Sequence, residues 1–82
     1  MARKAAPLGS RNTAGARIRE MRKHRNIKPM ELLAKLQLAG VDISAGTLAG
    51  IERQNRSLAD WELRIFADIL RVSPDWLTGK ES

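Results

Sequence analysis

The sequence predicts a small all-α domain built from five short helices. Three observations carry this. Apolar residues make up 43% of the 82-residue chain but aromatic ones only 4%, so the core must be assembled from Leu, Ile, Val, Met and Ala, which suits a helical bundle. These residues return at three- and four-residue spacing in successive stretches. Between the stretches stand residues that start and stop helices, among them Pro29, Gly40, Ser44, Ser73-Pro74 and Gly79. No pair of alternating strands and no internal repeat is visible. A chain of this length is one domain at most, and its small core makes oligomerisation a natural source of further stability.

Residues 1–12, MARKAAPLGSRN, are small, polar and basic without periodicity, and read as a disordered arm. The domain then runs over 13–79, leaving 80–82 as a tail. Thr13 is the expected N-cap of the first helix. Ile18 and Met21 form its apolar stripe, with Ala14 and Arg25 on the same side, and Asn26 supplies a left-handed stop. The second helix opens at Lys28 or Pro29, because proline at the first helical position removes an N–H that had no partner. Leu32, Leu33, Leu36 and Ala39 form its inner face, and Gly40 ends it. VDIS is a short extended connector. Ser44 caps a third helix over 45–53, with Leu48, Ile51 and Glu52 pointing one way and small residues the other. Ser57 and Asp60 have capping-box spacing at the fourth helix. Leu63, Phe66, Ala67 and Leu70 are its stripe, and Val72 closes the following turn. Ser73-Pro74 opens a last helix carrying Trp76 and Leu77, and Gly79 terminates it.

The net charge of +6 is unevenly spread. Residues 1–26 hold eight basic residues and one acid, a net +7, whereas 27–82 hold seven basic and eight acidic residues, a net −1. The basic third points to a polyanionic partner. With no cysteine there is neither a disulfide nor a thiolate metal site. The sole histidine, His24, has no second ligand at metal spacing and reads as a surface residue. Asp60 and Glu62 lie on different helix faces and read as acids at a helix start. AGTLAG lacks the Lys-Ser/Thr of a phosphate loop. The reading is therefore non-enzymatic, without cofactor or metal. No apolar run is long enough to span a membrane, and no secretory signal is visible, so a cytoplasmic location is expected.

Four segments in order, RIREMRKHRN, MELLAKL, TLAGIE and LRVSPDWLTG, resemble the helix-turn-helix regulators of the phage repressor and Cro type, the Xre-like family. The resemblance covers about residues 14–79. DISAGTLAGIERQNRSLADWEL is similar to a bacterial subgroup with a lengthened connection between helices two and three, here residues 37–42. The family implies a five-helix fold, a third helix in the DNA major groove, the start of helix two against phosphates, and a dimer that spaces two such helices about one DNA turn apart. It implies that double-stranded DNA is the partner. It also implies an ion pair between Arg22 and Glu52, and a carboxylate beside Ile51 on an otherwise apolar surface needs such a partner.

By the same resemblance, Ala45, Gly46, Ala49 and Gly50 face the bases, while Thr47, Arg53, Asn55 and Arg56 lie at phosphates. The departures are informative. Pro29 replaces a glutamine common in the family, and none of the four base-facing residues can hydrogen-bond a base edge through its side chain. Gln54 stands where the family has glycine, which makes Asn55 the expected left-handed residue. Affinity is then expected mainly from phosphates, with Arg3 and Lys4 of the arm reaching a minor groove. The alternative is that the smooth helix docks another protein, since fold does not fix function. Trp61 and Trp76 are the candidates for a weak homodimer interface.

Overall fold

In a computed structural model that describes residues 14–79, the helical spacing of the sequence is realised as five helices. They are α1 (Gly15–His24), α2 (Pro29–Leu38), α3 (Ala45–Glu52), α4 (Asp60–Leu70) and α5 (Pro74–Leu77). No strand occurs among the described residues, and the protein is all-α. The arm with Arg3 and Lys4, the expected cap Thr13 and the tail at 80–82 lie outside the described residues. Ala14, without a side-chain cap, occupies the N-cap position of α1.

The core is built mostly from the stripes read from the sequence, with Met21 and Leu63 only partly buried and Val41 of the connector added. Ile18, Leu32, Leu36, Val41, Ile51, Phe66, Leu70 and Leu77 are fully enclosed. α1 packs on α3, α4 and α5, while α2 packs on α3 and α4. Leu48 and Ile51 bury the inner side of α3 as expected. Ala39 departs from expectation: it is the C-cap of α2 and is exposed, because the chain turns outward there to bring Val41 into the core. The connection from α2 to α3 is Ala39–Ser44, since Gln37 and Leu38 still belong to α2.

Helix starts follow side-chain chemistry. The Thr47 backbone N–H donates to Ser44 Oγ at 3.1 Å, and the Trp76 N–H donates to Ser73 Oγ at 3.1 Å. Each satisfies one of the donors that a helix start leaves unpaired. At α4 the expected Ser57–Asp60 box is replaced. Ala59 is the N-cap, and its backbone N–H donates to Glu62 Oε1 at 2.9 Å. Alanine has no acceptor, so only this return half of a capping box forms. Asp60 and Glu62 do sit in the first turn, where negative charge is favoured.

The helix ends share one device. A residue in the left-handed region follows each of the first four helices: Asn26 (φ 57°), Gly40 (φ 96°), Gln54 (φ 64°) and Arg71 (φ 59°). The next residue then returns its N–H to a carbonyl five positions earlier: Ile27 to Arg22, Val41 to Leu36, Asn55 to Gly50 and Val72 to Ala67. This is the Schellman stop, which satisfies carbonyls that would otherwise lack partners. One expectation is corrected by it: Gln54 itself, not Asn55, is left-handed after α3. Val72 closes the turn after α4 as expected, with Arg71 as its left-handed residue. Gly79 (φ 80°) closes α5 as expected.

Candidate nucleic-acid interface

The site is built outward from α1. Two of its arginines, and Arg25 at its C-cap, are committed to holding other elements by their carboxyl ends. Arg22 is enclosed among core residues and meets Glu52 in a two-pronged pair, Nε to Oε2 at 2.8 Å and Nη2 to Oε1 at 3.0 Å. Its third nitrogen, Nη1, donates to the Ile27 carbonyl at 3.0 Å. The two side chains of the pair are only 9% and 8% exposed. Arg22 and Glu52 thus form the pair expected of them, and it fixes the last turn of α3 against α1. Arg17 donates to the Trp76 carbonyl at 2.7 Å and lies over the Trp76 ring, 4.8 Å from its centroid. Arg25 Nε donates to the Leu70 carbonyl at 2.6 Å, with Nη2 reaching the Arg71 carbonyl at 3.3 Å.

These bonds change the meaning of the basic first third. Arg17, Arg22 and Arg25 hold the fold together, and α1 presents Arg19 and Lys23 outward, both exposed. Among the described residues, Arg19, Lys23 and Arg53 make no ion pair or side-chain hydrogen bond. The three converge. A groove of about 400 Å³ between α1 and α3 is lined by Ala16, Arg19, Glu20, Lys23, Arg53 and Gln54, with Glu52 at its floor. A neighbouring hollow of about 250 Å³ adds Arg22 and Ala49. A smaller one, about 90 Å³, continues to Ala45, Leu48 and Pro29 at the start of α2. Since Glu52 is neutralised by Arg22, three cations face one acid, Glu20.

The expected phosphate and base residues fall in different places around this groove. Arg53 is the C-cap of α3 and lies in the groove. Asn55 and Arg56 are exposed in the turn that follows, on the Gly50 side of α3. Thr47 is half-buried, and its Oγ1 accepts from the Ser44 hydroxyl at 3.1 Å, so its side chain serves the helix start. Ala45 and Ala49 lie along the groove, whereas Gly46 and Gly50 occupy the adjoining edge. Ala45 and Gly46 are exposed, Ala49 and Gly50 half-buried. Trp61 is 55% exposed, whereas Trp76 packs against the core with Arg17 over one face. Sequence reasoning missed Arg19 and Lys23 as groove residues. Their three- and four-residue offsets from Ala16 and Glu20 mark one face of α1, but nothing in the sequence says that this face looks at α3.

Neither glycine of α3 is demanded by the fold. Both have ordinary helical backbones. A methyl group at 46 would lie 3.8 Å from Ser44 Oγ, and one at 50 would lie 3.9 Å from Arg56 Cβ, which are ordinary contacts. Gly50→Ala is therefore expected to stabilise the protein by about 1 kcal/mol, the helix propensity difference. Urea denaturation checks this, and a loss of stability would show that the edge is closed.

No group of His, Cys, Asp and Glu side chains able to hold a metal occurs among the described residues, and none of their helices is long and apolar enough to cross a membrane. No family model, curated protein or solved structure matches the chain.

Proposed function

We propose that this chain is a DNA-binding transcriptional regulator of the repressor-like helix-turn-helix kind, acting in the cytoplasm and without enzymatic activity. One observation carries the reading. The buried Arg22–Glu52 pair holds α3 with its Ala/Gly side outward, beside a groove banked by the unpaired cations Arg19, Lys23 and Arg53. A helix of small residues flanked by cations suits a major groove bordered by phosphates. Phosphate contacts would supply most of the affinity. A side-chain contact that reads a base edge contributes about 1–3 kcal/mol of discrimination, and α3 forgoes it, so sequence preference would come from thymine methyl contacts or DNA shape. The glycines fit this reading, because the free fold leaves them room for a methyl group and a closely approaching surface would not.

The second reading is a helix-turn-helix fold whose α3 docks a protein. It is favoured by the absence of any base-reading side chain at Ala45, Gly46, Ala49 and Gly50. A binding selection on random duplex DNA at two salt concentrations separates the two. An enriched, roughly palindromic motif is the expected result and indicates a dimeric regulator. Binding without enrichment that vanishes at the higher salt would overturn sequence-specific regulation and direct attention to a protein partner for α3.

A further inference from the structure

The hollow at the far end of the α1–α3 groove differs in chemistry from the rest of it. It holds about 90 Å³ between the start of α2 and the outward side of α3, and is lined by Pro29, Ala45, Leu48, Ala49 and Glu52. The cations Arg19, Lys23 and Arg53 line the groove beside it, not the hollow itself. Its walls are the Pro29 ring, two alanine methyl groups and the side chain of Leu48, a core residue. Pro29 stands at the first helical position of α2, where its ring fixes φ and brings no N–H. Glu52 is the one polar lining residue, and both its carboxylate oxygens already accept from Arg22. No side chain of the hollow is therefore left to hydrogen-bond a base. The rim is open, since Pro29 and Ala45 are exposed.

We infer that this hollow receives the C5-methyl group of a pyrimidine in the DNA major groove, and so makes binding sensitive to cytosine methylation. The inference deepens the DNA-binding reading and rests on it. In the major groove the base-pair edges carry donors, acceptors and one apolar group, the methyl of thymine. An apolar hollow on the outward side of α3 is complementary to that group and to no other feature of a base edge. Apolar hollows hold water poorly, and an apolar group that displaces poorly ordered water gains affinity. The outward side of α3 is thereby divided: Ala45 and Ala49 line the hollow, and Gly46 and Gly50 do not. Thymine is the occupant in unmodified DNA. No side chain there tells the O4 acceptor of thymine from the amino donor of cytosine, so 5-methylcytosine is accepted in its place. Cytosine and uracil, which lack the methyl, are disfavoured alike. Methylation of a cytosine at that position then strengthens binding.

The test titrates the full chain with a duplex enriched by selection on random DNA, each thymine being replaced in turn by uracil. Uracil removes the methyl and keeps every hydrogen-bonding group. At one position in each half-site the replacement is expected to weaken binding roughly fourfold, the worth of one buried methyl. A C·G pair placed there should gain a similar factor when its cytosine is 5-methylated. Ala45→Leu projects a side chain across the hollow, and Ala49→Ser sets a hydroxyl in its wall. Both should bring the thymine-to-uracil affinity ratio close to one. Ala45 is exposed and Ala49→Ser adds a single oxygen, so both variants should fold, which far-ultraviolet circular dichroism checks. An enriched duplex in which no uracil lowers affinity would overturn the inference and leave the DNA reading standing. A uracil effect that survives both variants would overturn it too, by placing the methyl elsewhere, as would cytosine methylation without effect. If the chain binds without a preferred sequence, random pools made with thymine and with uracil are compared, and equal affinity overturns the inference. Failure to bind any duplex would overturn the DNA reading itself, and the inference with it.

Discussion

Glu52→Ala is expected to remove about 3–5 kcal/mol of folding stability, the usual cost of stranding one member of a buried ion pair. A chain of this size has roughly 4–12 kcal/mol in total, so the variant should be marginal or unfolded near body temperature. The reason lies in the surroundings of Arg22. Its guanidinium holds Glu52 with two bonds and the Ile27 carbonyl with a third, and the pair is almost shielded from water. Without the carboxylate, two N–H groups and a full charge face apolar neighbours, and water must enter or α1 must shift. Glu52→Gln keeps one acceptor and should recover part of the loss. Arg22→Lys should not, because an ammonium cannot reproduce the planar two-pronged contact. Urea denaturation measures all three. A loss below about 1 kcal/mol for Glu52→Ala would place the pair among solvent-exposed bridges and remove the argument that it fixes α3.

Replacing Arg19, Lys23 and Arg53 together by alanine is expected to flatten the salt dependence of DNA binding by about 2.7 in the slope of log K against log salt, at about 0.9 per phosphate contact. Over a tenfold change in salt concentration the same slope difference amounts to roughly 500-fold in affinity. The loss should be nearly equal for all duplex sequences, since phosphate contacts position without reading. All three side chains lack partners among the described residues, so folding stability should change little. Arg17→Ala and Arg25→Ala invert the pattern: they should destabilise the fold while leaving the salt slope of the folded protein in place. A triple variant with an unchanged slope would show that the α1–α3 groove does not meet the backbone of DNA.

The contrast between those two sets of arginines shows where the sequence could be read and where it could not. Helix starts at Ser44, Ser73 and Pro29 were legible because capping is local: an oxygen or a missing N–H acts within three residues. Stops at Asn26 and Gly40 were legible because these residues tolerate positive φ. Gln54 and Arg71 take the same conformation against their own preference. There the required direction of the chain overrides local propensity, and no neighbouring residue announces it. The apolar residue after each left-handed position, Ile27, Val41 and Val72, is the recoverable signal, and Asn55 after Gln54 lacks even that.

The candidate site divides in the same way. The Arg22–Glu52 pair was accessible through family resemblance and through the oddity of a carboxylate on an apolar surface. The division of α1 into binding and structural arginines was not, because it depends on carbonyls 45 to 59 residues away in sequence, those of Leu70, Arg71 and Trp76. Charge counting assigned all of them alike to a polyanion. The outer side of α2 is hidden for a different reason: the spacing marks Leu32, Leu33, Leu36 and Ala39 as one inner face, and Met30, Ala34 and Leu38, interleaved with them, stay unassigned until burial shows them exposed.

The bonds from α1 also bear on how the molecule comes apart. Its arginines reach the end of α3 through Glu52, the end of α4 through Leu70 and the end of α5 through Trp76. None of these three helices can detach without leaving a guanidinium or a carboxylate unpaired, and α1 cannot leave without releasing all of them. Slow amide exchange in α1, α3, α4 and α5 should therefore share one opening free energy, that of global unfolding. α2 itself receives no such bond and is held by leucine burial, which makes it the segment with the lowest barrier to opening alone. Among the four longer helices, a protease would find its first foothold there.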